Sequence, residues 1–211
     1  MLMILVFVLG SLSVNAQTQN HIAQGHQNSE ISDTAYQSSY DAFFLEAMVQ
    51  RQKGNSDAAF DLLQYCVEVN PEASEAYYFL SQYYKVLKDN DKAMEMIRRA
   101  ATLEPDNITY TETLMQSYIG LRQYQEAIAV AERLYDQHKD REDLLELLFQ
   151  LYQHEQDYEH AIGILDRLET INGKSERLSY AKSEIYSRKG DKAAAIAEMK
   201  GLADHYPNDM N

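Results

Sequence analysis

An interval of 34 residues runs through this chain. Stepping by 34 from Ala59 lands on Ala93, Ala127, Ala161 and Ala195, an alanine each time. The same step joins Leu63, Ile97, Ala131, Leu165 and Met199, and then Cys66, Ala100, Leu134, Leu168 and Leu202. A further rung holds Gln50, Tyr84, Tyr118, Tyr152 and Tyr186. All three prolines, Pro71, Pro105 and Pro207, stand on one rung, whose other members are Lys139 and Gly173. A period of this length marks a repeated supersecondary unit. One such unit cannot bury its own apolar face and must stack on a neighbour.

Within a unit, apolar residues recur at helical spacing. Tyr77, Leu80, Ser81 and Tyr84 form one stripe, and Ala93, Met96, Ile97 and Ala100 form a second. Between them lies a turn, Lys88 to Asp91, rich in Asn and Asp. Proline follows the second helix, which it cannot continue, and helps to start the next. Alanine at the crossing lets the two helices approach closely, where a larger side chain would force them apart. The tyrosine rung supplies a ring to pack between units, with its hydroxyl near the edge.

The run Tyr77-x-x-Leu80-Ser81-x-x-Tyr84, then Ala93-x-x-x-Ile97, then Pro105, resembles the tetratricopeptide repeat. Five units match in register, 40–73, 74–107, 108–141, 142–175 and 176–209, and residues 210–211 would begin an unfinished sixth. The resemblance implies an all-α chain, an α-solenoid of five helical hairpins in a right-handed superhelix. It is specific for fold and says little about activity. The first unit departs most, with Glu46 and Gln50 where an aliphatic and an aromatic are expected. Its first helix instead gathers Tyr40, Phe43, Phe44, Ala47 and Met48 on one face. At the other end an Ile196, Met199, Leu202 face lacks a following unit. A longer parent protein, self-association or another partner is expected to cover it.

Met1 to Leu9 is an unbroken apolar run, followed by Val14-Asn15-Ala16. This reads as a signal peptide over 1–16, cleaved between Ala16 and Gln17, although no Lys or Arg precedes the run. The run is too short to span a bilayer. No cysteine follows it, which argues against a lipid anchor there. Residues 17–39 are polar and read as a flexible tether. The expected location is the periplasm or cell surface of a bacterium.

A net charge of −14 repels phosphate backbones and argues against nucleic-acid binding. The single cysteine, Cys66, excludes an internal disulfide and any cysteine-rich metal site. It lies on an apolar rung and reads as a small core residue rather than a nucleophile. The stretch HEQDYEH, His154 to His160, places two histidines near several carboxylates, but across a turn and without HExxH spacing. The remaining histidines, His21, His26, His138 and His205, are scattered, two of them in the tether. There is no glycine-rich phosphate loop and no G-x-S-x-G elbow. No catalytic, cofactor-binding or metal-ligating residue is therefore assigned, and an enzyme is not expected.

In the architecture that the resemblance implies, the first helix of each unit lines the concave side. The candidate partner-binding groove is Phe44, Met48, Tyr78, Gln82, Glu112, Gln116, Asp143, Glu146, Gln150, Tyr180 and Glu184. Three glutamines, Gln82, Gln116 and Gln150, stand 34 apart on it. A primary amide both donates and accepts, so such a row suits the backbone of an extended peptide. The competing reading is that Gln is simply a good helix former on a wet surface. Glu112, Asp143 and Glu146 cluster there, and the fourth unit holds eight acids against two bases, which favours a basic or amine-bearing segment. Arg177 and Arg188 lie near the groove in the fifth unit, which has six of each. The Lys/Asn/Arg clamp of related repeats that bind chaperone C-termini is absent. The expected role is a non-catalytic interaction scaffold of the cell envelope. Alternatives are a glycan-binding or nutrient-uptake component, with Tyr78 and Phe44 as an aromatic platform, or an adapter region of a larger enzyme or sensor.

Overall fold

Helices joined by short turns and connections make up residues 39–206, which the computed structural model describes. The expected signal peptide, most of the tether, Pro207 and the start of a sixth unit lie outside the described residues. Helix α1 covers 39–52 and is followed by α2 (Ser56–Val69), α3 (Ser74–Val86) and α4 (Asn90–Leu103). Then come α5 (Ile108–Gly120), α6 (Tyr124–Gln137), α7 (Glu142–His154), α8 (Tyr158–Asn172), α9 (Glu176–Lys189) and α10 (Lys192–His205). The fold is all-α, its helices paired as consecutive hairpins of the tetratricopeptide type. The chain divides into two packed units, one ending at Leu103 and the other beginning at Glu104.

Each hairpin reverses through one residue in the left-handed region, and these residues are also 34 apart. They are Gly54 (φ 81°), Lys88 (61°), Arg122 (59°), Gln156 (57°) and Gly190 (85°). The next amide closes back onto the carbonyl of the tyrosine rung: Asn55 to Gln50 (2.9 Å), Asp89 to Tyr84 (3.0 Å), Gln123 to Tyr118 (2.9 Å), Asp157 to Tyr152 (2.9 Å) and Asp191 to Tyr186 (2.8 Å). This six-to-one closure satisfies a carbonyl that the helix end leaves open. Between hairpins the chain turns more tightly. The amides of Ala73, Asn107 and Arg141 donate to the carbonyls of Asn70, Glu104 and His138, each at 3.1 Å. Pro71, Pro105 and Lys139 sit inside these turns, where no helical amide is required. Side-chain caps on Asn107, Asp157, Ser175 and Asp191 start the helices that follow them.

In the first unit, Tyr40, Ala47, Leu63, Cys66, Ala76 and Leu80 form the buried core. Phe60 meets Tyr84 edge-on at 5.3 Å between ring centres. Burial pushes the Cys66 thiol up to about 11, so it stays a neutral packing group. The apolar face expected of the first helix is the one that packs. In the second unit the core is richer in leucine, with Leu134, Leu144, Leu145, Leu148 and Leu165 almost wholly buried. Each such side chain contributes about 1.5–3 kcal/mol on burial. On the alanine rung Ala59, Ala127, Ala161 and Ala195 are buried, whereas Ala93 is only half-buried, beside a buried Met94. The tyrosine hydroxyls reach the edge as expected. Tyr84 accepts from Gln64 at 3.3 Å, and Tyr152 donates to Glu132 at 2.5 Å.

The last hairpin is held differently. Lys182 is 4% exposed and stands on the rung of Leu80, Leu114 and Leu148. It pairs with Glu169 and, at 2.6 Å, with Asp166, both on α8. Lys174 bridges Glu169 (3.2 Å) and Glu198 (2.9 Å), and Ser179 donates to Glu198 at 2.8 Å. Among the described residues no buried side-chain nitrogen or oxygen lacks a hydrogen-bond partner.

Candidate functional site

A residue on the outer side of a first helix has its neighbours one repeat away, so the helices of each unit decide what it meets. In the first unit, Phe44 and Met48 are half-buried and pack against the core. Phe44 stacks on Tyr40 (5.6 Å) and leans on Phe79 (6.0 Å), and Tyr78 meets Phe79 at 5.3 Å. Phe44 and Tyr78 are thus half-buried parts of one chain of rings, less open than a free-standing platform. Burying those ring faces outweighs leaving them wet. Gln82 is half-buried too, and its amide oxygen accepts from Arg51 at 3.4 Å, while the Arg51 guanidinium lies over the Phe79 ring at 4.5 Å.

The second unit holds the other seven residues. Gln116 on α5 and Gln150 on α7 are exposed, and neither amide has a side-chain partner among the described residues. Tyr180 on α9 is 58% exposed. Glu184 is paired with Arg188 at 2.6 Å. The expected acidic cluster is present in sequence but answered in space. Arg141 reaches Glu112 at 2.9 Å and Asp143 at 2.6 Å, and Arg177 reaches Glu146 at 3.5 Å. The Arg141 hydrogen bond holds the Asp143 carboxyl below the usual range, and Asp143 and Glu112 raise the Arg141 guanidinium in turn. The pull on a basic segment is therefore weaker than the count of acids suggests. These bridges also link α5 to α7 and α7 to α9 across the same face.

Arg141 carries no role in the sequence reading, and the structure gives it one. It precedes α7 at the place where Asn107 and Ser175 cap their helices with side-chain oxygens. A guanidinium cannot accept from a helix amide, so it turns instead to carboxylates on two first helices. A cation in a capping position was the available signal. Arg51 was less legible, because its contacts lie in another repeat.

The two histidines of His154 to His160 are exposed and each rests against a tyrosine ring. His154 lies 4.0 Å from the Tyr124 ring, and His160 stacks on Tyr152 at 5.1 Å with Nδ1 2.7 Å from Asp157. Among the described residues no group of three or more His, Cys, Asp or Glu is placed to hold a metal ion. No described helix is long and apolar enough to cross a membrane.

The family model described as tetratricopeptide repeat matches residues 74–107. The one described as anaphase-promoting complex, cyclosome, subunit 3 matches residues 121–200. No curated protein matches the chain. Among solved structures, a crystal structure of MamA protein is similar at 17% identity, covering 80% of this chain and 92% of that one, with a TM-score of 0.54. YrrB, described as a tetratricopeptide-repeat protein with an unusual peptide-binding site, is similar at 16% identity over 80% of this chain and 87% of its own, with a TM-score of 0.55. A tetratricopeptide repeat protein from Parabacteroides merdae is 19% identical over 82% of this chain and 68% of its own, with a TM-score of 0.55. At these identities the likeness is one of fold.

Proposed function

We propose that this chain, a run of repeats of the tetratricopeptide type, is a non-catalytic scaffold of the bacterial cell envelope that holds an extended segment of a partner protein on its first-helix face. The observation that carries this reading is the pair Gln116 and Gln150. Both amides are exposed on successive first helices and neither is spent on a neighbour. The acids around them are tied to Arg141 and Arg177, so main-chain hydrogen bonding, rather than charge, is what this face offers. The peptide-binding site ascribed to YrrB, a chain of similar fold, is in keeping with it. Export rests on the apolar run Met1 to Leu9 and the small-residue site at Ala16.

The test uses a display library of unstructured peptides. Gln116→Ala with Gln150→Ala should lower capture across many sequences and leave helicity unchanged. Capture that is unaltered, or that tracks peptide charge alone, counts against the reading. For location, the mature chain should begin at Gln17 by mass spectrometry of fractionated cells. An intact Met1 in a cytosolic fraction would remove the envelope.

A further inference from the structure

The 34-residue register allows the outer faces of α1 and α10 to be compared with the seams inside each unit. The position after the alanine rung is held by Phe60, Ile128, Ile162 and Ile196 in four of the repeats. Phe60 meets Tyr83 of the next hairpin at 5.8 Å, and Ile128 and Ile162 are 6% and 7% exposed. Ile196 is 69% exposed. Below it Met199 is only half-buried, where Leu63, Ala131 and Leu165 are buried. Ser183, Lys192, Ile196, Met199 and Lys200 line an apolar surface groove of about 760 Å³ there. The opposite deficit marks α1. Ala42 is exposed where Ala76, Leu144 and Leu178 are buried, and Leu45 is 66% exposed where Leu147 and Ala181 pack on the core.

The polar residues match as well. The second helix of a hairpin uses one position to reach forward to the next first helix. Gln64 reaches Tyr84, Glu132 meets Tyr152, and Asp166 meets Lys182. One repeat on from Asp166, that position is Lys200. Four repeats back from Lys182, its equivalent is Glu46, which accepts from Gln50 at 2.5 Å. The outer faces of α1 and α10 thus carry the Asp166–Lys182 pair with its charges exchanged.

We propose that this protein associates with itself head to tail. Helix α10 of one copy packs on α1 of the next, Ile196 and Met199 cover Ala42 and Leu45, and Lys200 meets Glu46. Charge complementarity selects a second copy over an unrelated helix. The interface is heterologous, so a pair still presents one unused face of each kind and assembly can continue.

Sedimentation velocity of the full chain tests this. The weight-average mass should rise with protein concentration. Leu45→Glu and Ile196→Glu, both at exposed positions, should each weaken association by about tenfold or more, through a buried unpaired carboxylate, without loss of helicity. Mixing those two variants leaves one intact pair of faces and should give a one-to-one dimer that grows no further. Lys200→Glu should weaken association, and adding Glu46→Lys should restore it. A monomer at all concentrations, association that survives both apolar-site variants, a mixture that stays monomeric, or a double charge variant no better than the single one would each overturn the proposal.

Discussion

The fourth and fifth hairpins share a turn, a crossing alanine and a tyrosine, yet they cohere by different means. Between α7 and α8 the equivalent places hold Leu145, Leu148 and Ile164, all buried. In the last hairpin they hold Ser179, Lys182 and Glu198, buried or nearly so, with Ser179 joined to Glu198 and Lys182 joined back to Asp166 and Glu169 of α8, while Lys174 links Glu169 to Glu198. One backbone repeat thus accepts an oily seam or an ionic one. The difference is energetic. Apolar burial is non-directional and indifferent to pH, whereas a buried ion network depends on every partner keeping its charge.

The comparison breaks first at Leu148. Leu148→Ala should cost about 2–5 kcal/mol, because a side chain 1% exposed leaves a cavity that its neighbours cannot fill. Urea titration followed by circular dichroism measures this. Lys182→Ala should cost less, about 1–3 kcal/mol, since Glu169 keeps Lys174 and Asp166 is 59% exposed and hydrates freely. If the lysine variant proves the costlier, the ionic seam is the stronger of the two.

Acid and base should separate the hairpins next. The Lys182 hydrogen bond holds Glu169 below its ordinary 4.5. Burial works to raise Glu198, but Lys174 and Ser179 outweigh it and the net shift is downward. A carboxylate lowered on folding stabilises in full above about pH 4.5, and that contribution is lost as pH falls through its lower folded value. Lys174 is raised chiefly by Glu198. Burial pulls Lys182 down, yet Asp166 and Glu169 leave it raised. The contribution of both lysines persists up to their ordinary 10.5 and is lost as pH climbs through the folded values. Amide protection of α9 and α10, relative to α7, should therefore fall as pH drops below about 4.5 and again as it rises above about 10.5. A constant ratio across that range would contradict the ionic account.

The smallest effect lies in the turns. Gly190 (φ 85°) closes the fifth hairpin and Gln156 (φ 57°) the fourth. Gly190→Ala should destabilise by about 1 kcal/mol, the cost of a Cβ in the left-handed region. Gln156→Gly should stabilise by about 0.5 kcal/mol, because relief of that strain is partly offset by glycine's freedom when unfolded. Thermal melts of the pair sharpen the contrast, and equal shifts of the same sign would remove it.

Much of this was legible in the residues. The alanine, leucine and tyrosine rungs imply paired helices, and Phe43, Phe44, Ala47 and Met48 mark the face of α1 that packs. Lys182 could have been seen as a charge on a leucine rung, but not Asp166 or Glu169 as its answer, since those lie on another helix. The binding face was read less well. Glu112, Asp143 and Glu146 suggested an acidic patch until Arg141 and Arg177 were found across them. Phe44 and Tyr78 suggested a platform until Phe79 joined them.

The sequence by itself determined the helical hairpins, their register and the turns between them. Periodicity, capping and glycine or proline placement act within a few residues of the chain, and such signals can be read along a line. Only the tertiary structure decided which charges are spent on one another and which amides remain free. That depends on side chains from different repeats coming within hydrogen-bonding distance, and separation along the chain carries no information about a gap of 3 Å.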